Sequence, residues 1–212
     1  FVPGMAEIIA ISEIIETYHK VGIEYTCFPI HGDIPFEEQM DAFHAPKADE
    51  VKIIIATNAA ESSVTLPNVD HVICLGLCRQ IVYNKASHRQ MLTSAWISRA
   101  SATQRAGRTG RVRPGNVYRL YTKKAYDCYM EEFEPGEMIR IPLDSVILML
   151  KQILHEEVKP VFLDCLEPPA LDTLETSFQG LNYWNFITEA SDKADITPLG
   201  TFVSALGIDL SL

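Results

Sequence analysis

The six residues Val51 to Ala56, VKIIIA, place the tightest limit on the fold. A nearly continuous apolar run of β-branched residues, without alternation, suits a strand covered on both faces, as in a parallel sheet packed between helices. Val69 to Leu75 has the same character, and Val117 to Tyr121 reads as a further strand after a turn at Pro114-Gly115. Ile23 to Ile30 reads as a shorter strand. Between these runs the period changes. Ile8, Ile11, Ile15, Tyr18 and Val21 recur at helical spacing from Met5 until Gly22 stops the pattern, and Pro35 opens a helix to about Phe43. Strands alternating with helices predict an α/β parallel sheet, with functional loops at the carboxyl ends of its strands. Thr57 to Pro67, after one buried strand, and Ser101 to Arg111, before another, occupy such positions.

Elsewhere the pattern differs. Arg79 to Ile97 mixes polar and apolar residues and predicts a protruding hairpin. After Pro142, the residues Leu143, Val146, Ile147, Leu150 and Leu154 mark an amphipathic helix, and Pro168-Pro169 starts another. Asp192 to Thr197 reads as a short strand leading into a helix through Pro198 and Gly200. Helices followed by a small β-element imply a separate module, with a boundary near Arg140 to Leu143.

The 212 residues suffice for a medium domain and a small one, with a core that needs neither disulfides nor metals. No apolar run is long enough to cross a bilayer, and the opening Phe-Val-Pro-Gly, without an initiator Met, reads as a piece of a longer chain. Five scattered cysteines suit a reducing, intracellular setting, nucleus or cytoplasm, rather than a disulfide framework. Cys74 and Cys78 lack the converging partners of a zinc site, and His155-Glu156-Glu157 lacks a second His, so no metal site is expected. The net charge of −10 argues against nucleic-acid binding, because phosphate contacts usually come with a basic excess.

The motifs point the other way. In Gln104-Arg105-Ala106-Gly107-Arg108-Thr109-Gly110-Arg111, a helix would bring Gln104, Arg108 and Arg111 onto one face at i, i+4 and i+7. Two guanidinium groups and an amide there form a fork suited to phosphate oxygens. A merely solvated basic helix fits poorly, since each glycine weakens a helix by about 1 kcal/mol relative to Ala. This segment, with Ile97 to Thr103 before it and Arg113 to Tyr121 after it, resembles the sixth motif of superfamily 2 helicases in its DEAH-box RNA helicase form. The resemblance implies that Gln104, Arg108 and Arg111 reach the γ-phosphate of ATP and act as arginine fingers during phosphoryl transfer.

Ala56-Thr57-Asn58-Ala59-Ala60-Glu61-Ser62-Ser63-Val64-Thr65 resembles the family's fifth motif. It implies RNA-backbone contacts at Thr57 and Asn58, with Ser63 and Thr65 on the nucleotide side. Phe1 to Ile8 resembles the end of the fourth motif, which puts Gly4 near the RNA backbone. His31-Gly32-Asp33-Ile34-Pro35 matches another family stretch, and its His and Asp read as a structural turn rather than an acid–base pair. Phe43 matches an aromatic residue that stacks on the base of ATP, but it reads equally as a core residue of an amphipathic helix. Pro67-Asn68 stands where many members carry Asp-Gly, which removes a ribose contact that the family would imply. The wording Glu-Ser-Ser-Val-Thr-Leu-Pro is similar to the spindle-E-like branch with tudor domains.

The resemblance covers the whole chain. It implies a second RecA-like domain over 1–141, a winged-helix domain over 142–200 and the start of a ratchet-like domain over 201–212. It further implies an RNA helicase moving 3′ to 5′ that uses ATP with Mg2+. No GxxxxGK[ST] loop or Asp-Glu-Ala-His box is present, so the nucleotide would be held mainly by a first RecA-like domain of the same polypeptide. Single-stranded RNA, that first domain and an activator protein are the implied partners, and no membrane is. The rival reading is a helicase-like scaffold that binds RNA or protein without turnover.

Overall fold

A computed structural model describes residues 1–18, 20–47, 49–62, 66–84, 89–207 and 210. The chain divides into two compact units, one formed by residues 1–80 and 93–134 and the other by 81–92 and 135–212.

In the first unit, β1 (Glu24–Ile30) and β2 (Glu50–Ala56) pair in parallel, in register from Glu24–Glu50 to Ile30–Ala56. The strands β3 (His71–Cys74) and β6 (Asn116–Arg119) form a second parallel pair. Phe1 and Val2 bridge the two pairs: Val2 N donates to the Ala56 carbonyl (2.9 Å), and Leu75 N donates to the Phe1 carbonyl (3.2 Å). Successive side chains of a strand point to opposite faces. Both faces of the β1–β2 pair are covered, whereas β3 buries Val72 and Cys74 on one face only, with Ile73 54% exposed on the other, so the expected two-sided burial of Val69 to Leu75 is not met; β6 is exposed along its length. Cys27, Ile53 and Ile55 pack with Ile8, Ile11 and Ile15 of helix α1 (Met5–Glu16). Phe28, Ile30, Ile54 and Ala56 pack with Ala42 and Phe43, which follow the short helix α2 (Phe36–Gln39). The unbroken apolar run of β2 is thereby explained, with one correction. Its amino end is open, for Val51 is 42% exposed while Ile55 and Ala56 are 4% exposed.

Helix α1 stops at Glu16, short of the expected Val21, because Tyr18 and Val21 find no core to enter and stay exposed. The hairpin appears as β4 (Leu77–Asn84) paired with β5 (Arg89–Trp96). It leads into α3 (Arg99–Ala106), and after β6 comes α4 (Lys123–Cys128).

In the second unit, α5 (Glu137–Arg140), α6 (Asp144–Leu154), α7 (Lys159–Leu163), α8 (Leu171–Tyr183) and α9 (Pro198–Leu206) follow one another. One apolar cluster joins Leu143, Ile147 and Leu148 to Phe162, Leu174, Phe178 and Leu181. The strand expected over Asp192–Thr197 is reduced to a single bridge between Ile187 and Ile196. Asp192 is occupied otherwise, its carboxylate accepting from Val158 N (2.8 Å) and Lys159 N, which pulls that segment toward the start of α7. Helix α9 begins at a Thr197 cap, whose hydroxyl accepts from Gly200 N, and ends at Gly207 in the left-handed region (φ 61°). No helix among the described residues is long and apolar enough to cross a membrane.

Candidate nucleotide and nucleic-acid site

Two loops of the first unit meet here, the turn after β2 and the segment that ends α3. After β2, Thr57 is 3% exposed and its N–H donates to the Ile30 carbonyl (3.1 Å). Its hydroxyl accepts from Ala59 N (3.5 Å), capping a 3-10 turn over Asn58–Ala60. Ala60 is fully buried and pins the turn to the core, whereas Asn58 is exposed. Ser63 and Thr65 lie outside the described residues.

Helix α3 starts at Ser98, whose hydroxyl accepts from Ser101 N (3.0 Å). It ends at Ala106, so the expectation of one helix carrying Gln104, Arg108 and Arg111 is not met. Gly107 is a poor helix former and Gly110 adopts φ 77°, a conformation that side-chain-bearing residues avoid. Gln104 therefore stands exposed on α3, while Arg108 and Arg111 project from the turn beyond it.

The three arginines of this segment have different surroundings. Arg105 is fully buried; its Nε donates to Glu61 Oε2 (2.9 Å) and its Nη1 to the Leu77 carbonyl (3.2 Å). Arg108 is half-buried and its Nη2 donates to the Glu61 carbonyl. Arg111 is exposed, with Nε donating to the Gly107 carbonyl (3.2 Å). Burial first, and then the nearby charge of Arg111, push the Arg108 guanidinium below its ordinary pKa, against the opposing pull of Glu61. Two neighbouring cations that repel each other gain from an anion between them, and a phosphate would supply it.

The loop beyond Arg108 is tied to the start of β3. Thr109 Oγ1 donates to the Val69 carbonyl (2.6 Å), and Arg113 forms an ion pair with Asp70. Gly115 packs so closely that a Cβ there would lie 1.9 Å from Thr109 Oγ1 and 2.6 Å from the Asp70 carbonyl.

The remaining expected residues are dispersed around the first unit. Gly4 is buried beneath Arg79, whose Cγ would lie 3.3 Å from an added Cβ, and Arg79 Nη2 is 3.5 Å from Glu7 Oε1. Phe43 is half-buried against the apolar cluster that holds Ala60, with the Phe36 ring 6.4 Å away. His31 and Asp33 form a turn in which Asp33 N donates to His31 Nδ1 (3.1 Å). At the Pro67-Asn68 departure, Asn68 takes the left-handed region (φ 54°), which Asn tolerates better than most residues.

Arg105 and Glu61 were not singled out by sequence reasoning, although a signal was present. Ser101, Ala102 and Arg105 share the buried face of α3, and small residues at that spacing mark an inward-facing stripe with an arginine on it.

Parallel strands between helices, with an arginine-bearing loop beside the loop that follows β2, make up an α/β domain of the RecA-like type. The same architecture appears in the crystal structure of the E. coli DExH-box NTPase HrpB, which matches 99% of this chain and 25% of that one at a TM-score of 0.79 and 24% identity. Residues 3–113 match the helicase conserved C-terminal domain, and the chain belongs to that family, in its DEAH-type superfamily 2 branch. It is 34% identical to the ATP-dependent RNA helicase TDRD9 of Danio rerio over 100% of the chain and 16% of the relative. It is 33% identical to the DExH-box ATP-dependent RNA helicase DExH1 of Arabidopsis thaliana over 99% of the chain and 21% of the relative. The chain thus spans about a fifth or less of the length of these curated relatives.

Proposed function

We propose that residues 1–141 of this chain are the second motor domain of an ATP-dependent RNA helicase that moves 3′ to 5′. The observation that carries the reading is the meeting at Glu61 of the turn after β2 with Arg105 and Arg108. A single residue thereby links the nucleic-acid loop to the nucleotide loop.

When bound, ATP supplies a γ-phosphoryl group whose transfer builds negative charge, and the chain's part is to meet that charge. Arg111 is free of the core and can extend toward a phosphate held by a neighbouring motor domain. Arg108 is held closer in, and the repulsion between the two cations is relieved by the anion. Gln104, exposed at the end of α3, orients the attacking water or a phosphate oxygen. Ser63 and Thr65 are assigned to the nucleotide side, and Phe43 to the base. Mg2+ is assigned, with the phosphate-cradling loop, to the first motor domain.

Thr57, Asn58 and Gly4 are assigned to the RNA backbone. Thr57 Oγ1 already accepts from Ala59 N, and its hydroxyl proton remains for a phosphate oxygen. Amides and small hydroxyls bind a strand without a basic surface, which reconciles the acidic chain with an RNA substrate. The region after Pro142 is assigned to a winged helix and the last residues to the start of a ratchet-like domain.

The test is ATP turnover by the full-length protein, with and without single-stranded RNA, beside its Arg108→Ala and Gln104→Ala variants. Both substitutions should depress turnover by about a hundredfold or more, with nucleotide affinity little changed. Parental turnover in both would withdraw the nucleotide role from this loop.

A further inference from the structure

The run Val51 to Ala56 contains one charged residue, and two-sided burial does not account for it. Lys52 stands on the same face of β2 as Ile54 and Ala56, where a further apolar side chain would be expected. The residue is half-buried, and its ammonium lies 4.6 Å from the centroid of the Phe28 ring. Long cationic side chains cover apolar surface in this way while the charge seeks polar partners. Here the partners are backbone carbonyls. Lys52 Nζ donates to the Asp41 carbonyl (2.7 Å) and to the His44 carbonyl.

Those carbonyls bracket Phe43. Residues Met40–Phe43 form a single 3-10 turn, closed by His44 N on the Asp41 carbonyl (3.3 Å). A turn this short has little stability of its own, and a cation at its end satisfies carbonyls that would otherwise stay open. Inside the turn, Ala42 is buried and pins the front of it to the sheet. From His44 to Lys47 every residue is exposed, and the two Lys52 bonds tie this end of the turn to β2. Phe43 sits between the two anchors, itself only half-buried.

We propose that Lys52 is a positioning residue that holds Phe43 at the angle at which its ring meets the base of the nucleotide. The inference rests on the assignment of Phe43 to the base given above. Stacking is gained only while two ring planes stay in contact, so a ring carried on a loose turn loses affinity although none of its atoms is missing. Lys52 acts through the ring and not on the phosphates. A lysine that merely steadied the domain would affect both alike.

The measurement is ATP binding and turnover by the full-length protein, with inorganic tripolyphosphate as a competitor that carries phosphates without base or ribose. Lys52→Met keeps the stem beside Phe28 and removes both bonds. Its affinity for ATP should fall about fivefold, the lower end for base–aromatic stacking. Turnover at saturating ATP should stay within about twofold of the parent, and the inhibition constant of tripolyphosphate should not move. Lys52→Arg, whose guanidinium has donors for both carbonyls, should restore ATP affinity, whereas Lys52→Gln, with a shorter reach and no charge, should lower it about threefold. In a Phe43→Ala background, Lys52→Met should cost nothing further, because no ring is left to position. Parental ATP affinity in folded Lys52→Met, or in Lys52→Gln should the first variant not fold, overturns the proposal. So does an equal loss of tripolyphosphate binding, or a full additional loss in the Phe43→Ala background. Phe43→Ala alone tests the reading beneath. ATP affinity like the parent's in that variant removes the base from Phe43 and takes the proposal with it. A loss there beside parental binding in Lys52→Met sinks the role of Lys52 and leaves the base with Phe43.

Discussion

Arg105 in the first unit and Lys151 in the second are both cations buried on helices, 0% and 3% exposed, but their partners differ in kind. Lys151 Nζ donates to the backbone carbonyls of Asp192 (2.6 Å) and Ala194 (2.7 Å), and the Asp192 carboxylate is spent on the N–H groups of Val158 and Lys159. These interactions close the helical unit on itself. Arg105 instead takes a carboxylate from the turn after β2, and the carbonyl of the same residue accepts from a second, half-buried arginine. Burying a cation demands partners in either case. In the second unit those partners only complete a core, whereas in the first they register two loops against each other. The apolar packing shows the same contrast: among the described residues, one continuous cluster lies in the second unit and three smaller ones in the first.

The comparison can be broken most sharply at Arg111. In the full-length protein, Arg111→Ala should lower ATP turnover by about a thousandfold, the lower end for an arginine finger. Nucleotide affinity should be almost unchanged, because the charge it meets develops only during transfer. Steady-state turnover and nucleotide titration check both. Parental turnover would leave the first unit with no more chemistry than the second.

A smaller effect is expected at Lys151. Lys151→Met keeps the aliphatic stem but leaves two interior carbonyls without their donor, a loss of about 2 kcal/mol. Trp184 lies in the second unit and Trp96 in the first, so single-tryptophan variants can follow each in a denaturant melt. Only the Trp184 signal should shift. A shift of both would show that the units unfold together and that the contrast has no thermodynamic counterpart.

Thr109→Val should cost about 1 kcal/mol, because it removes the donor to the Val69 carbonyl while preserving shape. This loss should appear in the Trp96 signal alone and be accompanied by slower turnover, since the loop that carries Arg108 and Arg111 loses an anchor. An unaltered melt would assign the loop's order to Gly115 packing instead.

The smallest effect is expected at the exposed Asp70–Arg113 pair. The hydrogen bond from Arg113 holds the Asp70 carboxyl below its ordinary value of 3.8. A group whose pKa is lower in the folded state contributes stability that is complete above the unfolded value and disappears as pH falls through the folded one. Asp70→Asn should therefore cost a little stability near neutrality, and nothing once the pH is well below 3.8. Salt should shrink the difference, as it does for exposed ion pairs. A pH-independent cost would mean that the contact works as a neutral hydrogen bond.

Much of this arrangement was legible in residue order, and the failures were specific. VKIIIA announced a strand covered on both faces because Ile53, Ile54, Ile55 and Ala56 must find apolar neighbours, and α1 and Phe43 provide them, while Val51 stays exposed. The helix imagined across Gln104 to Arg111 failed at Gly107, where the conformational freedom of two glycines outweighed the periodicity of the charged residues. The strand imagined over Asp192 to Thr197 failed at its start, where the Asp192 and Ala194 carbonyls accept from Lys151 and Ala194 N donates to the Ser191 carbonyl, so that only the segment around Ile196 pairs.

Local order determined the runs that must be buried, the turns that need glycine, and the motif that identifies the family, since each depends on neighbours within a few residues. Tertiary structure alone decided which arginine of that motif would be buried. Arg105, Arg108 and Arg111 are chemically identical, and their roles diverge only because Glu61, 44 positions before Arg105, is brought within 2.9 Å of its Nε. A guanidinium without that carboxylate would not have left water, and no pattern along the chain could declare the partner.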